Sequence, residues 1–292
     1  MELGFIGFGE AAFELATGLK QEGLSKIVAY DPLWNEAPFS DLVQSRSQKS
    51  QVGLVESPEE VLQMVKIVMV AVPADKTLEV SKQLQPHLQN DCIYIDVSAA
   101  SPIVKQRVAT IVNEKGAKFV DVAMMGSLPV YKHKVPMLAS GDGATSFIEL
   151  MLPYGMNVTE VSEVPGEATA VKLIRSIYMK GVAALYVELL EAAHAFNVDK
   201  LVVDSISESM KGHTFEETMN RLVTGSSIHA LRRSIELGGT IEMLDSANID
   251  SSMSKAAKAK LEDLSKMNLK DYFKGEKPEH WLQVIEACKV AN

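Results

Sequence analysis

The sequence predicts an α/β domain built on a doubly wound, mostly parallel sheet, followed by an all-helical domain. Three observations support this prediction. In the first half of the chain, short apolar runs rich in β-branched residues alternate with amphipathic helical patterns, as a parallel sheet covered by helices on both faces requires. A glycine-rich turn, GFGEAA, follows the first of these runs. From about Gly166 the β-branched runs stop and long helical patterns take over.

The predicted elements follow in order along the chain. The strand-like runs are LGFIGF, KIVAYD, IVMVAVP, CIYIDV, KFVDVAM and VPMLASG. We place the first domain at residues 1–162 and the second at 163–292, since about 150 residues per domain is the usual size. A helical pattern of about thirty residues from Gly166 is longer than a typical globular helix and is expected to join the domains. The later helical patterns are DKLVVDSISESM, TFEETMNRLVTGSS, IHALRRSIELGGTIEMLDSA, SSMSKAAKAKLEDLSKM and a closing C-terminal helix.

Composition and charge argue against several classes of function. The 29 Lys+Arg against 38 Asp+Glu give a formal charge of -9, which disfavours binding to nucleic acids and to anionic membranes. The longest apolar runs are shorter than the ~20 residues of a membrane helix. The first residues lack a signal-peptide pattern, so we expect a cytoplasmic protein. The two cysteines, Cys92 and Cys288, and the six histidines form no ligand pattern, so no metal is expected.

The glycine-rich turn predicts a dinucleotide site. Gly7, Gly9 and Ala12 fit the pattern G-x-G-x-x-[GA] between a strand and a helix that begins near Glu10. In that pattern the first glycine allows the tight turn, the second lets the backbone approach a pyrophosphate, and the third small residue lets the helix pack on the strand. The helix amides and dipole then hold the phosphates. The predicted contacts are Gly7, Phe8, Gly9, Glu10 and Ala11.

The end of the second predicted strand bears on the choice of cofactor. Asp31 follows KIVAY, close to where an acidic residue accepts hydrogen bonds from the adenosine ribose hydroxyls. Its charge would repel a 2′-phosphate and favours NAD, whereas the nearby Arg46 and Lys49 leave NADP open. An exposed turn aspartate is the alternative. Val72 and Pro73 end the IVMVAVP run, at the sheet edge where an open α/β sheet binds its ligand.

An ordered series of motifs extends the prediction over nearly the whole chain. VAVP, DVSAASP, DVAMMGSLP, VPMLASG and GEATAVKLIRS follow one another, and the series resembles the β-hydroxyacid dehydrogenase and 6-phosphogluconate dehydrogenase superfamily. The helical half resembles the branch whose C-terminal domain has no known function. The resemblance implies an N-terminal Rossmann domain, a helical domain that completes a homodimer, and hydride transfer between nicotinamide and a small hydroxy acid. It also implies that Lys172 is the acid/base.

The residues around Lys172 match the superfamily pattern only in part. A partly desolvated lysine amine can take the alcohol proton as the hydride leaves, or donate it during reduction. An exposed lysine on an amphipathic helix is the structural alternative. The superfamily usually has an asparagine four residues on, where this chain has Ser176. Lys180, two turns beyond Lys172, is either a second cation at the site or a solvated helix residue.

The substrate loop departs further from the superfamily pattern. Where the superfamily reads D-A-P-V-S-G-G and holds a carboxylate, this chain has Met125, Gly126 and Ser127. Gly126 and Ser127 still offer amides and a hydroxyl, whereas the Met125 side chain cannot hydrogen-bond a carboxylate as serine does. Ser98, after the CIYIDV run, is expected to contact the nicotinamide end, or alternatively to cap the helix near Pro102. Further on, the pair Arg232 and Arg233 is expected to bind a substrate anion or to pair with Glu236 on the helix surface.

Three alternative functions remain open from the sequence. Relatives with this two-domain architecture reduce C=N bonds and often replace the lysine, so Lys172 favours alcohol chemistry over imine reduction. The lost asparagine and the altered carboxylate loop are compatible with a dinucleotide sensor that does not turn over. A methyltransferase shares the glycine turn and the acidic residue, but the long helical half disfavours it.

Overall fold

The computed structural model describes residues 2–291. By their internal contacts the residues form two compact units, Met1–Ile177 and Tyr178–Asn292. The division falls inside one long helix, Glu167–Ala195, because the first turns of that helix are bonded to the first unit. The boundary at 162/163 drawn from the sequence precedes the helix and stays a prediction about functional domains.

The first unit is built on an eight-stranded sheet with the order β3-β2-β1-β4-β5-β6-β7-β8. Every neighbouring pair is parallel except β6 and β7, which confirms the predicted doubly wound, mostly parallel sheet. The strands are β1 (Glu2–Ile6), β2 (Lys26–Tyr30), β3 (Gly53–Leu54), β4 (Ile67–Val70), β5 (Ile93–Asp96), β6 (Lys118–Met124), β7 (Met137–Ser140) and β8 (Val158–Ser162).

The sequence did not predict two of these strands. β3 has only two residues, too few for a hydrophobic pattern. β8 lies at the sheet edge and is largely exposed, with Thr159 and Glu160 turned to solvent. An edge strand of this kind lacks the apolar run that identifies a buried parallel strand.

Helices cover both faces of the sheet. Alternate residues of a strand point to opposite faces, so Met69 of β4 joins one buried cluster while Val68 and Val70 join the other. The helices of this unit are α1 (Glu10–Gln21), α2 (Ser40–Ser50), α3 (Pro58–Met64), α4 (Thr77–Leu84), α5 (Pro102–Asn113), α6 (Leu128–Tyr131) and α7 (Ala144–Met151).

The second unit is helical, as predicted. Its elements are α8 (Glu167–Ala195), which begins in the first unit, α9 (Asp199–Met210), α10 (Phe215–Ser246), α11 (Ser252–Lys266), α12 (Leu269–Tyr272) and α13 (Trp281–Ala291).

Helix α10 is divided by a kink near the boundary at which the sequence predicted two separate helices. It starts at a capping box formed by Thr214 and Glu217, and the backbone leaves the helical conformation at His229, whose φ is −118° and ψ is 18°. Arg233 crosses the kink, because its Nη1 donates to Ser226 Oγ at 2.6 Å and to Leu222 O at 3.2 Å. The side chain thereby ties the second part of the helix to the first.

Among residues 2–291, no helix combines the length and the apolar character that crossing a membrane requires. The same residues contain no group of three or more His, Cys, Asp or Glu side chains placed to hold a metal ion.

Candidate active site

The predicted cofactor segments all leave the sheet from one row of its register. The glycine turn follows β1, the Ala71–Pro73 segment follows β4, and Ser98 follows β5. Because parallel strands end at the same edge, these segments meet at the carboxyl edge of the sheet. The paired residues of the row are Tyr30, Ile6, Val70, Asp96, Asp121 and Ser140.

Gly7 makes the first tight approach in the turn. Its amide donates to Tyr30 O at 2.8 Å. Its φ is +85°, and a Cβ at this position would lie 2.5 Å from Ala71 O. Only glycine avoids both the left-handed strain and the clash.

Gly9 has no such requirement from the protein. It precedes α1 with φ −71° and ψ −164°, an extended conformation open to any residue. A Cβ here would meet no described heavy atom within 4 Å, and no described side chain caps α1. The space in front of the first α1 amides is therefore left open, as anion binding at a helix N-terminus needs.

Asp31 holds the turn to the end of β2. The carboxylate is only 8% exposed, and its Oδ2 accepts from Phe8 N at 2.7 Å while Oδ1 accepts from Leu33 N at 2.9 Å. Asp31 is thus not the exposed turn residue of the alternative prediction. A carboxylate has about four acceptor sites, so capacity remains for ribose hydroxyls, and that contact stays a prediction.

Thr77 brings two predicted cofactor residues together. Its hydroxyl contacts Ser98 Oγ at 2.9 Å and Pro73 O at 3.3 Å. Ser98 N also donates to Asp96 Oδ1 at 2.8 Å. The predicted helix-capping role of Ser98 is wrong, because Ser101 caps α5 through Val104 N at 3.4 Å.

A buried ionic network lies beneath this edge. Lys105, Asp96 and Asp121 have 0% exposure. Lys105 Nζ lies 3.0 Å from Asp96 Oδ1 and 3.1 Å from Asp121 Oδ1, and it also donates to Asp96 O at 2.9 Å. Charges this deep are retained only when they are paired.

The same network holds the start of α8. Thr169 N donates to Asp121 Oδ2 at 2.9 Å, and Thr169 Oγ1 donates to Asp121 Oδ1 at 2.7 Å. One residue earlier, Ala168 N donates to Ser140 Oγ at 3.0 Å. Gly166, with φ +92°, sits against α5, where a Cβ would lie 2.7 Å from Pro102 O. The first turn of α8 is therefore fixed on the first unit.

The bonds of Thr169 also determine where the predicted catalytic side chains lie. Residues three and seven positions along a helix share a face, so Lys172 and Ser176 lie on the Thr169 face. Both are half-buried, whereas Leu173, Ile174 and neighbouring residues are exposed. Lys180 belongs to the second unit and is exposed.

Family models match two parts of the chain. Residues 2–146 match the NAD-binding domain of 6-phosphogluconate dehydrogenase. Residues 193–264 match a domain of unknown function, DUF1932. The chain belongs to the 6-phosphogluconate dehydrogenase-like family, in the branch with this C-terminal domain.

Individual proteins agree with this family. An uncharacterized 28.5 kDa protein of Methanothermus fervidus, encoded in a 7S RNA 5′ region, is 28% identical over 266 residues, which are 88% of this chain and 96% of that protein. A conserved protein of unknown function, whose structure is similar to 3-hydroxyacid dehydrogenases, is 31% identical with a TM-score of 0.63, covering 91% of this chain and 97% of its own.

An imine reductase of Myxococcus stipitatus in complex with NADP+ is 15% identical with a TM-score of 0.68, covering 92% of this chain and 95% of its own. A variant of that enzyme was solved with NAD+. This level of identity shows a common fold alone. Together with the family, the similarities place the chain among NAD(P)-dependent oxidoreductases.

The loop that replaces the usual carboxylate loop of this family follows β6. Met125 N donates to Pro136 O at 2.8 Å, so its amide is already used. Gly126 and Ser127 are exposed. Of the three predicted substrate residues, these two remain accessible to a ligand.

Two residues that the family motif did not reveal are central to the geometry. Lys105 and Thr169 looked like ordinary helix residues in the sequence. The available signal was an aspartate inside each of two apolar strand runs, YIDV and FVDV, since a buried carboxylate requires a partner. Of the arginine pair, Arg232 lies 3.5 Å from Glu236 in an exposed pair, as the surface alternative predicted.

Proposed function

We propose that the protein transfers a hydride between a nicotinamide dinucleotide and the carbinol carbon of a small hydroxy acid or related alcohol, with Lys172 as general acid/base. The observation that supports this best is the shared register row. The glycine turn and Ser98 leave the sheet from the row in which Asp121 holds the start of the Lys172 helix.

The residues at the carboxyl edge fit a dinucleotide. The open position at Gly9 and the uncapped N-terminus of α1 suit a pyrophosphate. In this proposal the phosphates are surrounded by the turn residues Gly7, Phe8, Gly9, Glu10 and Ala11. Asp31 binds the adenosine ribose. The rest of the dinucleotide, towards the nicotinamide, lies along Val72, Pro73 and Ser98. When bound, the nicotinamide accepts or supplies the hydride.

Lys172 handles the proton in this proposal. During oxidation its amine accepts the hydroxyl proton of the substrate, and during reduction its ammonium stabilises the developing alkoxide and then donates the proton. Its half-buried position on α8 suits an amine that must exchange a proton with a substrate. Ser176 lies one turn further on the same face and orients the amine or the substrate oxygen. Lys180 is retained as a candidate for binding an anionic substrate.

We assign Gly126 and Ser127 to binding the acidic group of the substrate. Both follow β6, the strand that carries Asp121, and both are exposed. Met125 contributes its half-buried side chain and no polar contact. A site with fewer polar groups than the family pattern favours a substrate less polar than a simple 3-hydroxy acid.

NAD is the proposed cofactor in preference to NADP. A buried aspartate at the ribose repels a 2′-phosphate. Arg46 is half-buried and Lys49 is exposed on α2. We expect NADH to bind about tenfold more tightly than NADPH, which corresponds to ~1.4 kcal/mol.

A homodimer formed through the helical region completes the proposal. Helix α9 has no buried residue in the described chain. Its apolar residue Leu201, for example, is 71% exposed. Apolar side chains also remain exposed along α8, among them Ile174, Ile177 and Val187. Large apolar side chains exposed to this degree are typical of residues that a protein interface covers.

The test is a titration of the protein with NADH and NADPH, followed by a turnover screen at the nicotinamide absorption band. The screen contains hydroxy acids, diols, aldehydes and cyclic imines. Cofactor binding with turnover of a hydroxy acid or alcohol is the expected result. Turnover of imines alone would assign the protein to imine reduction, and binding without any turnover would favour the sensor. Absence of binding would contradict the cofactor assignment itself.

A further inference from the structure

The buried network of Asp96, Lys105 and Asp121 connects the loop of Ser98 to the start of α8 through a continuous chain of hydrogen bonds and ion pairs. Asp96 Oδ1 accepts a hydrogen bond from Ser98 N and contacts Lys105 Nζ. Lys105 then contacts Asp121, and Asp121 contacts Thr169. Every link is 3.1 Å or shorter. The path therefore runs from the loop of Ser98 to the first turn of α8 through direct contacts between buried residues.

The contact of Thr169 with Asp121 is suited to setting the rotation of α8 about its axis. Its amide and its hydroxyl bind different oxygens of one fully buried carboxylate. Such two-point contact restrains rotation, whereas a single hydrogen bond allows it. Lys105 fixes the carboxylate in turn. A rotation of α8 would move Lys172, one turn further, away from its position.

We propose that Thr169, Asp121 and Lys105 are positioning residues that orient Lys172 relative to the cofactor loop. The Thr169 hydroxyl can be removed by mutation while the hydrogen bond from the Thr169 amide to Asp121 is kept, because that bond does not depend on the side chain. The inference rests on the proposed acid/base role of Lys172 for its kinetic consequences. The orientation of the Lys172 side chain itself does not depend on that role.

The first test compares Thr169→Val with Thr169→Ser and with the control Thr110→Val. Valine keeps the shape and the amide bond but removes the hydroxyl, while serine restores it. Thr110 is exposed on α5, and its hydroxyl contacts only Gln106 O at 3.1 Å in the same helix. Thr169→Ala serves if the valine variant does not fold.

The expected result is a loss of kcat in Thr169→Val of at least about tenfold and up to about 100-fold, as displacement of a catalytic group produces. The midpoint of the pH profile of kcat should move, and the dissociation constant for NADH should stay unchanged. Thr169→Ser and Thr110→Val should behave as wild type. A purely structural role would lower the melting temperature of Thr169→Val and leave the kcat midpoint in place, which overturns the proposal.

A second readout separates this inference from the proposed function. The lysines are dimethylated with 13C-formaldehyde, and the Lys172 signal is assigned by its loss in Lys172→Arg. Thr169→Val should move the titration midpoint of that signal by about half a pH unit or more, because the surroundings of the amine change. If wild type turns over no substrate yet the midpoint moves, the proposed function fails and the positioning device stands. An unmoved midpoint overturns the positioning device, whatever the activity.

Discussion

At the scale of single residues, the two glycines of the turn differ in what requires them. At Gly7 the protein itself forbids a side chain, through a φ of +85° and a Cβ position 2.5 Å from Ala71 O. At Gly9 no described atom lies within 4 Å of the Cβ position, and the backbone is extended. The fold therefore explains Gly7, whereas we propose that the phosphates of the cofactor account for Gly9.

Alanine substitutions should separate these two causes. Gly9→Ala should keep the wild-type melting temperature but weaken NADH binding about tenfold or more, because the methyl group enters the space of the phosphates. Gly7→Ala should lose stability by about 2 kcal/mol or more, from strain and clash together. Calorimetric binding and thermal unfolding measure the two effects. Gly239→Ala, at an open helix position, is the control, and equal affinity of Gly9→Ala and wild type would refute the phosphate assignment.

His133 makes stability depend on pH. The ring is 3% exposed and packs over Gly18, where a Cβ would lie 1.9 Å from Nδ1. Burial lowers the pKa of His133 below its ordinary value of 6.5, and the charge of Glu22 opposes the effect only in part. The unfolded chain therefore binds the proton more tightly, and stability falls as the pH drops below about 6.5.

We expect the melting temperature of His133→Gln to fall less than that of wild type when the pH is lowered from 7.5 to 5.5. The difference between the two proteins isolates this one group, because other titrations cancel. His229→Gln, at an exposed histidine, should follow the wild-type curve. Parallel curves for His133→Gln and wild type would show that the ring charges without cost.

At the scale of elements, a carboxylate of α8 stabilises the start of α11. Glu188 of α8 is 6% exposed, and its carboxylate accepts from Met253 N at 2.7 Å, Ser254 N at 2.9 Å and Ser254 Oγ at 2.6 Å. A carboxylate at the first turn of α11 satisfies amides that have no partner within the helix and complements its dipole.

Replacing that carboxylate should be costly. Glu188→Gln turns one acceptor oxygen into a donor that faces backbone amides, and we expect a loss of about 1–3 kcal/mol in the free energy of unfolding. Glu191→Gln, at an exposed position of the same helix, should change stability by less than about 0.5 kcal/mol. Urea denaturation measures both. Equal losses in the two variants would contradict the capping role.

The sequence predicted elements better than it predicted contacts between them. Apolar runs identified β1, β2, β4, β5, β6 and β7 because buried parallel strands are continuously apolar. The exposed edge strand β8 lacked that signal. Likewise, the family motif indicated Lys172, but the pairing of Asp121 with Thr169 joins positions distant in the chain, and no local pattern encodes such a pair.

At the scale of the whole molecule, the exposed apolar residues of α9 are the basis on which we propose a homodimer. A helix without a buried residue gains little from packing in a single chain. A second copy of the chain would cover Leu201, which is 71% exposed, and the apolar positions of α8. The interface of a two-fold dimer uses the same patch on both copies.

Light scattering after size exclusion should give about twice the 31.9 kDa mass of one chain. Leu201→Glu should shift the protein towards monomer at micromolar concentration, because the interface then buries a charge. Lys200→Gln changes an exposed neighbouring charge without entering the apolar face and should leave the dimer intact. A wild-type protein with the mass of one chain would contradict the dimer.

The most direct test of the proposed mechanism is the turnover of Lys172→Ala beside its affinity for NADH. Arg175→Ala, an exposed basic residue one turn away, is the control. We predict wild-type NADH affinity for both variants and a fall in kcat of at least about 100-fold in Lys172→Ala alone, since positioned acid/base groups contribute about 10²–10⁴-fold. Full activity in Lys172→Ala would contradict the acid/base assignment.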